Sequence, residues 1–380
     1  MKTALEYPAA LEAWWVREAE RATNLKAEKA LAALVETVEK MSVNFTCERP
    51  EIFHDYTASA MGCAAYGVYF FPQTFARASH VMKNLGIWKF GDLEILDVGS
   101  GTGAAGMAVA RWAACHGVKA KITALDRSSP ALETGARAFH DCKNLWPAAA
   151  WESACGDVQN WRIEKKFDII LCSFVFNELG GATARLQAAR QMLGRLNENG
   201  ALIILEPAGE ESSRALMEMR DTLAKEGVQI VAPCPHQEPC PMRVAGVGFC
   251  HDVRKWRVPA SLEFVNRKLR RTVWDVKVSY LVLRRTNTEQ GAAKDENLAF
   301  RVVAPVTRTK ARVITRGCCA DGTLRDFELQ CRDATKPELR AFDEWERGDL
   351  AVTETERLLG DGKTWRAKKM KRGADFAPST

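Results

Sequence analysis

The sequence predicts an α/β fold built around a doubly wound parallel sheet, with helices before it and a small β-rich unit after it. Short apolar runs between Leu93 and Glu206 alternate with helical segments, as in a sheet whose strands are joined by crossover helices. The first 90 residues place apolar side chains at helical spacing, and strand-like runs return after residue 286. The chain has 380 residues, 47% hydrophobic and 27% charged. These values exclude wholesale disorder and suit two globular units or one enlarged domain.

Residues 1–90 are the predicted helical extension. An apolar stripe begins with Leu11, Trp14, Trp15 and Ala19. A second segment, from Tyr56 to Leu85, mixes small and aromatic residues, and Pro72 within it is predicted to begin a new helix. We interpret the aromatic run as core because such side chains dominate buried area.

Residues 91–286 are the predicted sheet domain. Its strands are expected at Leu93–Val98, Lys121–Asp126, Ala150–Gly156, Phe167–Ser173, Ala201–Glu206, Val228–Val231 and Val276–Leu283. Its helices are expected at Ala104–His116, Ser129–Phe139, Ala182–Leu196 and Ser212–Glu226. An insertion at about 232–256 is rich in cysteine and proline.

Residues 287–358 are the predicted β-rich unit. Its strands are expected at Phe300–Val303, Ala311–Ile314 and Leu324–Cys331. Residues 359–380 contain the run Lys368-Lys369-Met370-Lys371-Arg372, which predicts a mobile basic tail.

A glycine turn follows the first strand and carries the first chemical signal. The run reads Ile95-Leu96-Asp97-Val98-Gly99-Ser100-Gly101-Thr102-Gly103. Glycines between a buried strand and a helix let the backbone turn sharply and approach a ligand closely. This run resembles motif I of the class I S-adenosylmethionine-dependent methyltransferases, which have a Rossmann-like fold.

That resemblance implies a cofactor site at the ends of the first strands. The glycine loop would face the methionine part of the cofactor, Asp126 would bind the ribose hydroxyls and Asp157 would approach the adenine. The predicted cofactor-binding set is Asp97, Gly99, Ser100, Gly101, Gly103, Asp126, Asp157 and Ser173.

The segment after the fourth strand is the expected methyl-acceptor region. It lacks the Asn/Asp-Pro-Pro-aromatic motif that amino-methylating enzymes often carry, and instead contains Phe176-Asn177-Glu178-Leu179. Asn177 and Glu178 are the catalytic candidates, although the same side chains would also suit a cap on the following helix.

Six of the twelve cysteines lie in the last two-fifths of the chain. Three follow one another in Pro233-Cys234-Pro235-His236 and Pro239-Cys240-Pro241, then at Cys250. A fourth thiolate would come from Cys318 or Cys319, because neighbouring strand residues point to opposite faces. Four thiolates suit zinc or an iron–sulfur cluster, and the wide spacing favours the cluster. Free core cysteines are the remaining alternative.

These motifs occur together in one order. Motif I, Phe176-Asn177-Glu178-Leu179, Glu206-Pro207, the Pro-Cys-Pro-His segment, Tyr280-Leu281-Val282-Leu283-Arg284-Arg285 and Cys318-Cys319-x-Asp-Gly are similar to those of the small-ribosomal-subunit assembly family of methyltransferase-like proteins, which has mitochondrial and bacterial members. The resemblance covers roughly Tyr56 to Asp349. It implies binding to the small ribosomal subunit and a [4Fe-4S] cluster on Cys234, Cys240, Cys250 and Cys318.

The charge distribution supports a polyanionic partner. The net charge is +6, yet the segment from Cys250 to Arg316 holds sixteen Lys/Arg and six Asp/Glu. Trp256 and Trp274 lie among these cations and could stack on unpaired bases. The charge predicts contact with RNA, and the family resemblance implies that this RNA is rRNA of the small ribosomal subunit; no membrane or DNA is expected. The N-terminal stretch is acidic and resembles no export or transit signal, so a cytoplasmic location is expected.

Three functions fit these features. The first is an S-adenosylmethionine-binding assembly factor that methylates rRNA. The second is an RNA-binding scaffold without catalysis, and the third is a small-molecule methyltransferase with a structural zinc.

Overall fold

The computed structural model describes residues 5–46, 56–84, 91–158, 164–285 and 298–373. The helices are α1 (Ala9–Thr23), α2 (Ala27–Thr46), α3 (Ala60–Asn84), α4 (Ala104–Cys115), α5 (Ser129–Asp141), α6 (Gly181–Gly194), α7 (Glu210–Lys225), α8 (Pro241–Val244), α9 (Ala260–Lys268) and α10 (Lys336–Ala341). The strands of the first sheet are β1 (Leu93–Val98), β2 (Ala120–Asp126), β3 (Ala149–Cys155), β4 (Phe167–Ser173), β5 (Leu196–Glu206), β6 (Gln229–Ala232), β7 (Asp252–Lys255) and β8 (Asp275–Arg284). Those of the second sheet are β9 (Leu298–Val302), β10 (Thr307–Arg308), β11 (Arg312–Cys319), β12 (Leu324–Gln330), β13 (Leu350–Leu358) and β14 (Thr364–Arg372).

Three helices form the N-terminal extension and confirm its predicted character. The stripe of Leu11, Trp14 and Trp15 is at most 3% exposed, because it packs against α3. The prediction for Pro72 is wrong, since this residue lies inside the continuous helix α3. Proline removes one backbone hydrogen bond, but Phe71 and Phe75 beside it are buried in the core and hold both halves of the helix in place.

The first sheet has the strand order β3-β2-β1-β4-β5-β8-β6, with β7 paired to β8. Neighbours from β3 to β5 are parallel, whereas β8 runs antiparallel to β5, β6 and β7. Alternate residues of the strands enter different cores: Ile95 packs with α1, α3 and α4, and Leu96 packs with α6 and α7. Helices therefore cover both faces, which confirms the doubly wound sheet.

Register brings the carboxyl ends of the central strands to one edge. Val98 of β1 pairs with Leu125 of β2 and with Cys172 of β4. The residues that follow these strands therefore meet at the crevice where ligands bind in open α/β sheets. A side-chain cap places the start of α5 at the same edge. The Ser128 hydroxyl accepts the N–H of Ala131 (3.4 Å) there.

The second sheet confirms the β-rich C-terminal unit. Its strands pair in the order β10-β11-β12-β14-β13-β9, and β9 also pairs with β11, which closes a barrel. The expected mobile tail is wrong for Thr364–Arg372, which form β14. Ala367 and Met370 are 1% and 4% exposed, so two buried side chains anchor a strand whose charges face outward. Residues 374–380 of that prediction lie outside the described residues.

Candidate functional site

The glycine turn after β1 presents one backbone position to open space. Gly99 and Gly101 have φ values of 65° and 53°, in the left-handed region that favours glycine. A Cβ on Gly99 would lie 2.2 Å from Val175 Cγ2, so this position permits close packing. A Cβ on Gly101 would meet no atom within 4 Å. Gly101 therefore faces the space where a ligand can approach the backbone.

Asp97 stabilises the glycine turn through hydrogen bonds to its side chain. One carboxylate oxygen accepts the hydroxyl of Ser100 (3.0 Å) and the N–H of Gly106 (2.9 Å). The other oxygen has no hydrogen-bond partner among the described residues. Burial raises the pKa of Asp97 to about 7, against the effect of these two hydrogen bonds. Asp97 and Ser100 thus shape the turn.

Asp126 lies directly against the turn. One of its oxygens accepts the N–H of Gly101 (2.7 Å) and the other accepts that of Ser128 (2.8 Å). The carbonyl of Asp126 accepts the N–H of Gly156 (2.9 Å), so the end of β3 is on the same rim and Asp157 follows it. Asp157 is exposed there. The structure therefore brings the two predicted carboxylates to one edge of the sheet beside Gly101.

The acceptor region contains unsatisfied buried groups and an unusual backbone. Ser173 Oγ and Asn177 Oδ1 are buried without a hydrogen-bond partner among the described residues. Phe174 has a φ of 61°, a conformation that costs energy in a bulky residue and concentrates at functional sites. The guanidinium of Arg77 lies 5.3 Å from the Phe174 ring centroid. Glu178 pairs with Arg127 (3.4 Å), while burial raises its pKa.

Glu206 is a site residue that the sequence analysis noted only as part of a motif. It ends β5, is 2% exposed, and accepts the N–H of Phe176 through one oxygen (3.0 Å). Its other oxygen has no partner among the described residues. Burial raises its pKa to about 8, against hydrogen bonds from the backbones of Phe176 and Asn177. An acid at the end of a buried strand is the only sequence signal that could have marked it.

The helical extension covers this edge of the sheet. Thr57 and Ser128 hydroxyls lie 2.8 Å apart, which links the extension to the loop after β2. Tyr56 and Tyr66 stack at 5.7 Å between ring centroids. Burial raises the pKa of Tyr66 to about 12, and the nearby charges of Asp126 and Asp97 act in the same direction. The aromatic run is thus core, as predicted.

A second candidate site forms where the cysteine loop meets the barrel. Cys234, Cys240 and Cys250 line a cavity of about 30 Å³ together with Arg220 and Arg301. Cys318 packs beside Cys240 in the same apolar cluster. Burial raises the pKa of Cys234 to about 12 and raises that of Cys318 as well.

The two candidates for the fourth thiolate face opposite ways. Cys318 lies on the outer side of β11, with its sulfur 3.3 Å from Nε2 of His236. Cys319 belongs to the interior of the barrel, and its sulfur donates toward the Gly317 carbonyl (3.8 Å). The structure therefore brings Cys318, and not Cys319, to the other three cysteines.

Buried cations surround these thiols. Arg301 donates to the sulfur of Cys250 (3.0 Å), and Arg220 is 1% exposed beside the cysteine loop. Buried positive charge beside the sulfurs favours a negatively charged group here, such as a thiolate. Within the described ranges, no group of three or more His, Cys, Asp or Glu side chains is spaced to hold one metal ion. The iron–sulfur cluster stays a prediction.

Comparison with known proteins identifies the family. The family model described as mitochondrial small ribosomal subunit Rsm22 matches residues 60–371. The chain belongs to the Rsm22 family. No individually curated protein is significantly similar to it in sequence.

Solved structures similar to this Rsm22-family chain include methyltransferases. The N-methyltransferase NodS from Bradyrhizobium japonicum, solved with S-adenosylhomocysteine, is 14% identical, with a TM-score of 0.35 over 66% of this chain and 98% of that one. A putative class I S-adenosylmethionine-dependent methyltransferase from Listeria monocytogenes is 11% identical, with a TM-score of 0.38 over 75% and 83%. Likeness at this level carries no argument about activity.

The basic segment of the Rsm22-family chain divides into buried and exposed parts. Trp256 is 6% exposed and its indole N–H donates to the Val273 carbonyl (3.1 Å), so its predicted stacking role is wrong. Trp274 is 64% exposed. Arg254 is buried and pairs with Asp252 (3.4 Å) and Asp349 (3.3 Å). Among the described residues of the segment, the exposed cations are Lys255, Arg257, Arg267, Lys268, Arg270, Lys277, Arg285, Arg308, Lys310 and Arg312.

None of the helices in the described ranges is long and apolar enough to cross a membrane.

Proposed function

We propose that this Rsm22-family protein binds S-adenosylmethionine at the carboxyl edge of its first sheet and methylates rRNA during assembly of the small ribosomal subunit. The observation that carries the cofactor assignment is Gly101. Its φ of 53° and the open space beside its Cα leave room for a ligand, and its N–H is held by Asp126.

The residues at this edge fit the cofactor. Asp126 and Asp157 supply carboxylates to a diol and an amino group. The second oxygen of Asp97 and the hydroxyl of Ser173 are buried without a partner among the described residues, as expected of groups that wait for a polar ligand.

When bound, S-adenosylmethionine supplies an electrophilic methyl group, and the protein contributes mainly by positioning the acceptor. The amide oxygen of Asn177 is buried without a partner among the described residues, and it can accept a hydrogen bond from an N–H of the methyl acceptor. Glu206, with a pKa near 8, carries a proton at neutral pH and can donate a hydrogen bond to an acceptor oxygen or nitrogen.

We further propose that Cys234, Cys240, Cys250 and Cys318 hold a [4Fe-4S] cluster, with zinc as the alternative. Three ligands would come from the loop after β6 and one from the barrel, so the metal would join the two units. Burial raises the pKa of Cys234, Cys240 and Cys318, and metal binding would release the protons that these thiols carry. Arg220 and Arg301 would offset the negative charge of the bound thiolates.

Contact with rRNA follows from the exposed cations around Trp274. Lysine and arginine pair with phosphates, and an exposed indole stacks on unpaired bases. One observation favours a scaffold without catalysis as the second candidate: the acceptor segment lacks the Asn/Asp-Pro-Pro-aromatic motif.

The test is transfer of labelled methyl groups from S-adenosylmethionine to immature small-subunit particles. Gly101→Arg fills the open space and should abolish cofactor binding in calorimetry and methylation together. Gly194→Ala is the matched control, because Gly194 has equally open surroundings far from the turn. Wild-type affinity in Gly101→Arg would refute the cofactor site. Cofactor binding and particle binding without transfer would favour the scaffold.

A further inference from the structure

The C-terminal barrel has a defined strand connectivity. β9 pairs with β11 and with β13, and β12 joins β11 to β14. β13 and β14 complete the circle, and only the β12–β14 pair is parallel. The closed order is β9-β11-β12-β14-β13. Along the chain, α10 lies between β12 and β13, the third and fourth strands of the barrel in sequence. This is the arrangement of the OB-fold, a five-stranded Greek-key barrel whose second and third strands form a binding face for oligonucleotides.

Side chains alternate between the barrel interior and that face. Val313, Phe327 and Ala367 point inward and are at most 1% exposed. Their strand neighbours Arg312, Glu328 and Arg366 lie on the outer face. Because β11, β12 and β14 are adjacent, their outer side chains form one continuous surface. We call this surface the β11–β12–β14 face.

The segments that carry the face are rich in cations, whereas the segment that contains α10 is not. Segments 307–316, 324–330 and 364–372 together contain ten Lys/Arg and two Asp/Glu. The segment 331–349, which includes α10, contains four Lys/Arg and six Asp/Glu. Arg308 and Arg372 of these segments pair with Asp343 and Asp349 instead. The cations left on the face are Arg312, Arg316, Arg366 and Lys368, as expected of a surface that meets a polyanion.

The two carboxylates on the face hold arginines in position. Glu328, 4% exposed, accepts from Arg312 (2.7 Å) on one side and from Arg366 (3.1 Å) on the other. Asp326 accepts two hydrogen bonds from Arg316 (2.6 and 2.8 Å). Each guanidinium has five N–H donors, so donors remain for an incoming phosphate. Fixed arginines lose less side-chain entropy when they bind.

One end of the face is covered by the sheet domain. Cys318 and Leu324, at that end, pack with Met217 and Met242. From there the face runs to Arg312 at the other end, where Lys310 and Lys368 are exposed. The β11–β12–β14 face is three strands wide, about 10 Å. This width suits one nucleic-acid strand better than a duplex.

We propose that the β11–β12–β14 face binds single-stranded RNA through its phosphates. This inference rests on the proposed function and assigns part of its RNA contact to the barrel. The described outer residues of β11 and β12 include no aromatic side chain, so base stacking does not contribute on these strands. Binding at this face is accordingly tolerant of sequence and sensitive to salt.

The experiment uses the full chain and a labelled single-stranded RNA of about 12 nucleotides, within the range bound by OB-folds. Fluorescence anisotropy gives the affinity at several salt concentrations. The test variant is Lys310→Gln with Lys368→Gln, and the control, with the same charge removed from the sheet domain, is Lys143→Gln with Lys225→Gln. All four lysines are exposed, and thermal unfolding checks that both variants fold.

Each lost phosphate contact lowers the slope of log affinity against log salt by about 0.7. The test variant should therefore lose about 1.4 from the slope. This corresponds to about 25-fold weaker binding at 0.1 M salt when affinities are referenced to 1 M salt. The control should match the wild type.

Three failing outcomes can be told apart. If the wild type binds RNA and the test variant binds equally well, the barrel assignment is overturned and the proposed function stands. If the wild type prefers the duplex of the same sequence, the assignment to single strands is overturned. If the wild type binds neither RNA, the RNA contact in the proposed function fails together with this inference.

Discussion

Asp252→Ala should destabilise the protein far more than loss of any exposed ion pair. Asp252 is completely buried where the sheet domain meets the barrel. It accepts from Arg301 of β9, from Arg254 (3.4 Å) and from His80 of α3 (2.8 Å). Removing its carboxylate therefore affects three parts of the chain at once.

The size of the stability loss depends on which ion pairs the partners of Asp252 keep after the substitution. Arg254 retains Asp349 (3.3 Å), but Arg301, 3% exposed, loses the one carboxylate that it pairs with in the described part of the chain. Breaking a buried pair on one side costs about 3–5 kcal/mol, because a charge is left without compensation. In Asp252→Ala with Arg301→Met, an apolar side chain replaces that charge, so part of the lost stability should return.

The assay is urea denaturation of the wild type, Asp252→Ala and the double variant, with Glu36→Ala as control. Glu36 pairs with Lys40 (2.7 Å) on the surface of α2, and both side chains are more than 70% exposed, so its removal should leave the midpoint unchanged. Equal midpoints for Asp252→Ala and the control would refute the reasoning. No recovery in the double variant would show that shape, and not charge, sets the cost.

The same site predicts acid sensitivity. Burial alone would raise the pKa of Asp252, but the charges of Arg301 and Arg254 hold it well below its ordinary value. A carboxyl with a lowered folded-state pKa stabilises the protein above its unfolded-state pKa, about 3.9, and this contribution is lost as pH falls further. The difference in stability between wild type and Asp252→Ala should therefore shrink only below about pH 4.

Three further predictions concern other parts of the chain. Cys318→Ser should remove iron and acid-labile sulfide from anaerobically purified protein, whereas Cys319→Ser should keep both; the opposite pattern would reverse the ligand assignment. Glu206 has a raised pKa of about 8, so its contribution to stability is lost as pH rises from about 4 through 8. Glu206→Gln should gain stability relative to wild type over that interval in urea titrations, and a constant difference would contradict the burial argument. Met370→Ala should cost about 2–5 kcal/mol through a cavity in the barrel while Lys371→Ala leaves the melting temperature unchanged, and equal effects would show that β14 is not anchored.

Local sequence determined the central architecture. The runs at Leu93–Val98 and Phe167–Ser173 coincide with β1 and β4, because an apolar strand bounded by glycine or polar residues carries its own signal. The glycine turn and the acid at Asp126 were readable for the same reason: their positions follow from the strands that precede them.

Tertiary structure decided what depends on distant partners. The lysine-rich run containing Met370 reads as a solvated tail until Ala367 and Met370 are seen to enter the barrel core. From their place in the basic segment, Arg254 and Trp256 are expected to contact RNA. In the structure, Arg254 pairs with Asp349 and the Trp256 indole N–H donates to the Val273 carbonyl, so both polar groups are bound within the protein. Cys318 and Cys319 are chemically identical in sequence, and only the pairing of β11 with β9 and β12 sets which sulfur faces the cysteine loop. Each of these outcomes depends on contacts between residues far apart in the chain, and a local sequence pattern does not predict such contacts.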